Sequence, residues 1–216
     1  MCLAVMLGSC GDVTPSSRAV TVEVSGCGDA FDTSVAGVVV APERVVTVAH
    51  GVSQADGVSV VWSEAKFVAR VVGYDARSDL ALVAVPGLSM TPVPVAETRA
   101  NAGVDVIGGL ASGNVTATVT DVATIRIEEV LGTERASREG LELEVQAAVG
   151  DSGAGVFDEK GRLVGVLFAV NDDGSNVGWA TAATEIVRSS RDATITREST
   201  SRPSWSVPNQ CAHDGG

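Results

Sequence analysis

This chain is poor in several things at once. Lysine occurs only at Lys66 and Lys160, and the formal net charge is −12, from 15 basic and 27 acidic residues. With no basic patch to meet phosphates, nucleic acid is excluded as an expected partner. Aromatic residues make up 4% of the 216 residues, so any core must be built from Val, Ala, Leu and Ile. No apolar run approaches the ~18 to 20 residues of a membrane-spanning helix. Histidine occurs only at His50 and His213, and cysteine only at Cys2, Cys10, Cys27 and Cys211. Neither set has metal-ligand spacing, so no metal and no cofactor is expected. The acidic residues Glu128, Glu129, Glu142 and Glu144 read as a solvated face.

What is abundant is valine broken by glycine. Hydrophobic residues reach 45%, enough for one large domain or two lobes, and 24 Gly punctuate them. Short β-branched runs at close spacing indicate strands. Six fall in the first half, at 20–24, 34–40, 45–49, 57–62, 66–74 and 80–85. PGLSMTPVPVAETRANAG (86–103) carries three of the seven prolines and reads as a linker. A second series follows at 104–110, 115–130, 141–148, 163–170 and 177–182. The charged GTERASREG (132–140) reads as an exposed hairpin loop and 184–191 as a short C-terminal helix. The expected architecture is all-β, with lobes over 22–90 and 103–190 of a domain spanning 22–190. A site would lie in the cleft between them.

The ends suggest export. MCLAVMLGSC (1–10) is apolar, and its LGSC resembles a bacterial lipobox with Cys10 as the lipidated residue. It lacks a basic n-region and has only nine residues before Cys10, which a misplaced start codon would explain. Residues 11–21 are polar and read as a tether. If Cys2 leaves with a signal and Cys10 carries lipid, Cys27 and Cys211 remain as a pair. Their disulfide would hold a C-terminal strap (191–216) and contribute on the order of 5 kcal/mol in the chain-entropy model. The alternative is four unrelated thiols. The expected location is extracytoplasmic, either lipid-anchored at the cell envelope through Cys10 or secreted, as a monomer.

Three segments carry chemistry. VVTVAHGV ends an apolar strand at His50, SDLALVAV opens one at Asp79, and VQAAVGDSGAGVFDEKG places Ser152 between glycines. A hydroxyl nucleophile needs a base, a carboxylate to orient that base, and two N–H groups aimed at the developing oxyanion. A lone histidine at a strand end is more often satisfied by backbone, and GDSG by itself is a turn. In the order His50, Asp79, Ser152, these segments together resemble the chymotrypsin-like serine proteases.

That resemblance spans about residues 25 to 213. GVVVAPERVVTVAHGV (37–52) and ARSDLALVAVPGL (76–88) are similar to actinobacterial HtrA-like proteases and to the mycobacterial acid-resistance serine proteases. The scarcity of Lys against Ala, Val, Gly and Arg fits such a GC-rich source. The resemblance implies two six-stranded antiparallel β-barrels and a serine endopeptidase acting on protein or peptide. His50 would be the base, Asp79 its orienting partner and Ser152 the nucleophile. The N–H groups of Gly150 and Ser152 would form the oxyanion hole. It also implies an S1 pocket with Gln146 at its base and Val170 and Gly178 on its walls. With no carboxylate there, a small to medium apolar or polar P1 is expected. LFAV (167–170) would pair with substrate backbone. In the second of these groups a disulfide joins the start of the domain to a Cys near its end, as Cys27 and Cys211 would. The chain departs from them in lacking their run of membrane helices and in reading GDSGAGVF for their GGP form. It also gives no sign of a PDZ-like extension, and no Ile-Val-Gly-Gly-like start is present to pair with Asp151, which is expected to bond backbone instead. The competing reading is a catalytically silent protease-fold module that binds or scaffolds at the envelope.

Overall fold

A computed structural model describes residues 19–26, 32–128, 135–171 and 173–188. Alternation of valine with polar residues produces two closed, six-stranded antiparallel barrels. The first contains β1 (Ala19–Gly26), β2 (Thr33–Ala41), β3 (Arg44–Val48), β4 (Ala55–Trp62), β5 (Ala65–Asp75) and β6 (Leu80–Ala84), in the order β1-β2-β3-β6-β5-β4. A one-turn helix, α1 (Ala49–Val52), follows β3. The second contains β7 (Gly103–Gly109), β8 (Gly113–Glu128), β9 (Arg135–Val145), β10 (Gly155–Phe157), β11 (Leu163–Val170) and β12 (Val177–Ala182), in the order β10-β11-β12-β9-β8-β7. Residues 183–188 form a helical turn. Among the described residues, no helix is long and apolar enough to cross a membrane.

Closure leaves no sheet edge exposed along either barrel. Strand interiors are filled with Val22, Val38, Val45, Val60 and Val83 in the first lobe and Leu141, Leu143, Val156 and Leu167 in the second, all essentially inaccessible. One cluster runs across the junction, joining Val39 and Val85 to Phe157, Leu163 and Val166. The Pro-rich connection is stitched down between the lobes. Val93 N–H donates to Val39 O at 2.9 Å, Leu163 N–H to Pro94 O at 2.8 Å and Ala96 N–H to Leu163 O at 2.9 Å.

Local pattern misleads in three places. β1 opens at Ala19, inside the stretch 11–21 read as a tether, because Ala19–Thr21 pair with β2 and Val20 is buried. β10 has three residues, too few to show a period, and is fixed by its neighbours β7 and β11. β9 opens at Arg135, so residues 135–140 of the stretch read as an exposed loop are strand. Ala136 and Arg138 are buried there, 1% and 2% exposed, on the face of β9 opposite Leu141 and Leu143. Cys2, Cys10, Cys27, Cys211 and His213 lie outside the described residues, as do the leader, most of the tether and the strap.

Candidate active site

Strand register brings the first two candidates together. Val48, the last residue of β3, pairs with Leu80, the first of β6, so His50 and Asp79 lie just beyond one barrel rim. Asp79 adopts φ +54° there, and its carbonyl accepts the Ala49 N–H at 3.1 Å. Its Oδ1 accepts the His50 backbone N–H at 2.9 Å, and its Oδ2 lies 2.8 Å from His50 Nδ1. The Asp79 side chain is 3% exposed and the imidazole 40%. With Nδ1–H donating to the carboxylate, neutral imidazole presents Nε2 as an acceptor.

The loop before Asp79 is braced twice. Asp75 Oδ1 accepts the N–H groups of Arg77 and Ser78, and its Oδ2 accepts Ser78 Oγ–H at 2.7 Å. The second lobe then holds two successive carbonyls: Thr181 Oγ1–H donates to Ser78 O at 2.9 Å and Arg138 Nη1 to Arg77 O at 3.4 Å. Burial, and secondarily the charge of Asp79, raises the Tyr74 phenol far above its ordinary value, so it stays neutral. Its buried hydroxyl has no partner among the described residues.

Ser152 sits on a turn that only glycines permit. Asp151 N–H donates to Ala148 O at 3.1 Å, closing a β-turn whose third residue, Gly150, has φ +106°. That is the type II arrangement, which demands glycine at this position. Gly153 has φ +90°, and a Cβ there would lie 1.9 Å from Ala36 O. The close approach docks the turn on the first lobe. Ala36 N–H donates to Ser152 O at 2.8 Å, and Thr47, three residues before His50, donates Oγ1–H to Ala36 O at 2.6 Å. Among the described residues, neither the Gly150 N–H nor the Ser152 N–H has a protein acceptor. Ser152 Oγ lies 3.4 Å from Phe168 O, and no hydrogen bond joins it to His50. Such bonds often tighten only when substrate is bound.

Asp151 anchors this turn. It is 1% exposed; its Oδ1 accepts the N–H groups of Ala111 (2.7 Å) and Ser112 (3.0 Å), and its Oδ2 that of Ala148 (2.9 Å). Two of these donors come from the β7–β8 turn, far away in sequence. Burial alone would raise its pKa, but the bonds from Ala148, Ser112 and Ala111 outweigh that and hold it below the usual carboxylate range.

Beside Ser152 lies a cavity of about 150 Å³ lined by Ala148, Val149, Gly150, Ser152 and residues 167–170, with no carboxylate. Val170 is therefore on its wall. Gly178 pairs with Val170 one strand away, and a Cβ there would meet Val145 and Leu167. The structure does not bring Gln146 to this cavity. β9 alternates Leu143 and Val145 inward with Glu144 outward, and Gln146 continues the outward set. It lines a separate groove with Asn114, Thr116, Glu144 and Asn176. Among the described residues, no group of three or more His, Cys, Asp and Glu is placed to hold a metal.

Sequence reading missed Thr47, Asp75, Arg138 and Thr181. Asp75 carried a usable signal, since Asp followed by Ser three residues on is a turn-bracing pattern. The others act across strands or lobes and have none.

Residues 35–166 match the family model described as a trypsin-like peptidase domain. The serine protease Rv3671c of Mycobacterium tuberculosis is 34% identical over 156 residues, covering 69% of this chain and 39% of that protein. The serine protease MT3772 of another strain gives the same figures. The chain thus spans well under half the length of these curated relatives. Among solved structures, the active form of the Rv3671c protease aligns with a TM-score of 0.77 at 25% identity, over 88% of this chain and 84% of that one. The inactive form aligns with 0.69 at 28%, over 81% and 87%. A serine endoprotease from Yersinia pestis, with 0.66 at 18% identity over 80% and 61%, shares the fold.

Proposed function

Since this chain belongs to the trypsin-like peptidase family, we propose that it is a serine endopeptidase acting on protein or peptide substrates. Ser152 Oγ attacks the scissile carbonyl while His50 Nε2 takes its proton, and His50 then gives that proton to the leaving amine. The acyl-enzyme formed on Ser152 is hydrolysed by water through the same base. Asp79, bonded to both the backbone and the ring of His50, holds the tautomer this requires. The oxyanion meets the N–H groups of Gly150 and Ser152. One observation carries the reading: the Ser152 turn, with two unclaimed N–H groups, docks on Ala36 while Asp79 orients His50 in the same lobe.

The test is labelling of purified protein by a fluorophosphonate. The parent is expected to label, and Ser152→Ala and His50→Ala to lose the signal. A well-folded parent that does not label, or label that persists in Ser152→Ala, overturns the reading and favours a binding module. The 150 Å³ cavity with its apolar rim supports a small to medium P1 side chain. A peptide library cleaved after Arg or Lys instead would refute that preference.

The enzyme works outside the cytoplasm, with lipid on Cys10 and a Cys27–Cys211 bond. The support is the LGSC segment and the cysteine count. Incorporation of an alkyne fatty acid that Cys10→Ala abolishes is the expected result, and no incorporation by the parent removes the anchor.

A further inference from the structure

Arg138 is a buried cation, and nothing in the catalytic scheme above uses it. It lies on β9, 2% exposed. Among the described residues, its buried Nε and Nη2 have no hydrogen-bond partner, and Nη1 makes one long bond to Arg77 O. The guanidinium carbon stands 4.0 Å from the centroid of the Phe168 ring. A guanidinium left partly unpaired in the interior is destabilising, and a hydrophobe of similar volume often replaces such a group without loss. Its position relative to the site is what sets it apart. One end reaches the backbone two residues before Asp79. Its face covers the ring of the residue whose carbonyl lies against Ser152 Oγ.

The charged groups facing Arg138 come from two other elements. Asp75 and Asp79 belong to the end of β5 and the loop that follows it, and Glu185 to the helical turn. Glu185 is already engaged by the Glu139 N–H at 2.9 Å and by Arg188 at 3.2 Å. Tyr74, which feels the charge of Asp79, is neutral, and His50 Nδ1 lies 2.8 Å from Asp79 Oδ2. Burial lowers the basicity of Arg138 and these carboxylates restore part of it; an arginine remains a cation under such conditions.

We propose that Arg138 is a positioning residue that couples the two halves of the active site, holding the Asp79 loop through the Arg77 carbonyl and its charge, and Phe168 through its ring. This rests on the serine-peptidase reading. Its cation moderates the negative potential that Asp79 projects onto His50, and its stacking holds the Phe168 carbonyl against Ser152.

The experiment measures the second-order rate constant of fluorophosphonate labelling against pH for the parent, Arg138→Met and Arg138→Lys. Misplacement of the loop and of Phe168 should slow Arg138→Met roughly ten- to a hundred-fold. Loss of the cation leaves more negative potential at His50, which favours its charged form. The acid limb of Arg138→Met should therefore move to higher pH, by roughly half a unit to one unit. Arg138→Lys keeps the charge and loses the planar stack, so it should keep the parent's limb yet react roughly ten-fold more slowly. A folded Arg138→Met with the parent's rate and limb overturns the proposal, because a mere filler moves only thermal stability. Should Arg138→Met fail to fold, Arg138→Lys decides: a several-fold slower reaction supports the proposal and the parent's rate overturns it. A parent that does not label brings down the serine-peptidase reading, and this inference with it. That outcome is distinct from variants that label like the parent.

Discussion

The two barrels prepare their catalytic groups by different means. The first delivers His50 and Asp79 already bonded to each other, as a direct outcome of β3–β6 register. The second delivers Ser152 on a turn with two glycines at positive φ, held by an aspartate that draws two of its three amide donors from another turn. A base and its orienting carboxylate need only distance and tautomer, which adjacent strands supply. An oxyanion site needs N–H groups kept away from other acceptors, and an unbonded amide is stable only if its surroundings are over-determined. The second lobe therefore spends side chains on holding backbone, while the first spends them on chemistry.

The sharpest break of this contrast is Asp79→Asn. An amide fits the space but favours the wrong imidazole tautomer, so the labelling rate should fall about 10⁴-fold while circular dichroism stays that of the parent. A loss of tenfold or less would mean that His50 is not oriented from within its own lobe. Asp151→Asn probes the other lobe. One amide oxygen cannot replace a carboxylate that accepts three N–H groups, and the oxyanion turn should loosen. We expect a loss of ~10²–10³ in rate, without the change in acid limb foreseen for Arg138→Met.

The same aspartate makes a pH prediction. Its pKa is depressed in the folded protein, so its bonds stabilise fully above the unfolded value, about 3.9. That stabilisation is lost as pH falls through the lower folded value. The melting temperature of the parent should decline below about pH 4, and that decline should be shallower in Asp151→Asn. Equal slopes would place the acid sensitivity elsewhere, with Asp158 next, whose pKa is also lowered.

Docking of the two lobes is tested by Thr47→Val, which leaves the buried Ala36 carbonyl with one fewer donor. About 1–3 kcal/mol of stability should be lost in urea unfolding, together with part of the labelling rate. Unchanged rate would show that the Ser152 turn seats itself without this strut. Arg162→Ala is the mildest. Its ion pair with Asp158 is partly exposed, at 42% and 14%, and backbone N–H groups also serve that carboxylate. Urea unfolding should register a loss of ~1 kcal/mol or less.

Much of this was legible in the one-dimensional pattern. Valine alternation placed nearly every strand, and the glycines of GDSG located a turn no other residue type would tolerate. What escaped was decided by partners remote in the chain. Arg138 lies in a charged segment that reads as solvent-facing, yet docking of the lobes buries it between the Asp79 loop and Phe168. Gln146, which the family resemblance implied for the pocket base, is carried to another groove by the outward phase of β9. β10 is too short to have a period of its own.

The sequence by itself therefore determined the class of fold, the order His50, Asp79, Ser152, and the two positions at which glycine is obligatory. These follow from side-chain size, β-branching and φ, which act over a few residues. The tertiary structure alone decided which amides clamp Asp151, which carbonyls of the Asp79 loop the second lobe grips, and that a cation is buried behind the site. Those outcomes depend on which surfaces meet when two barrels close and dock, and no local preference encodes that meeting.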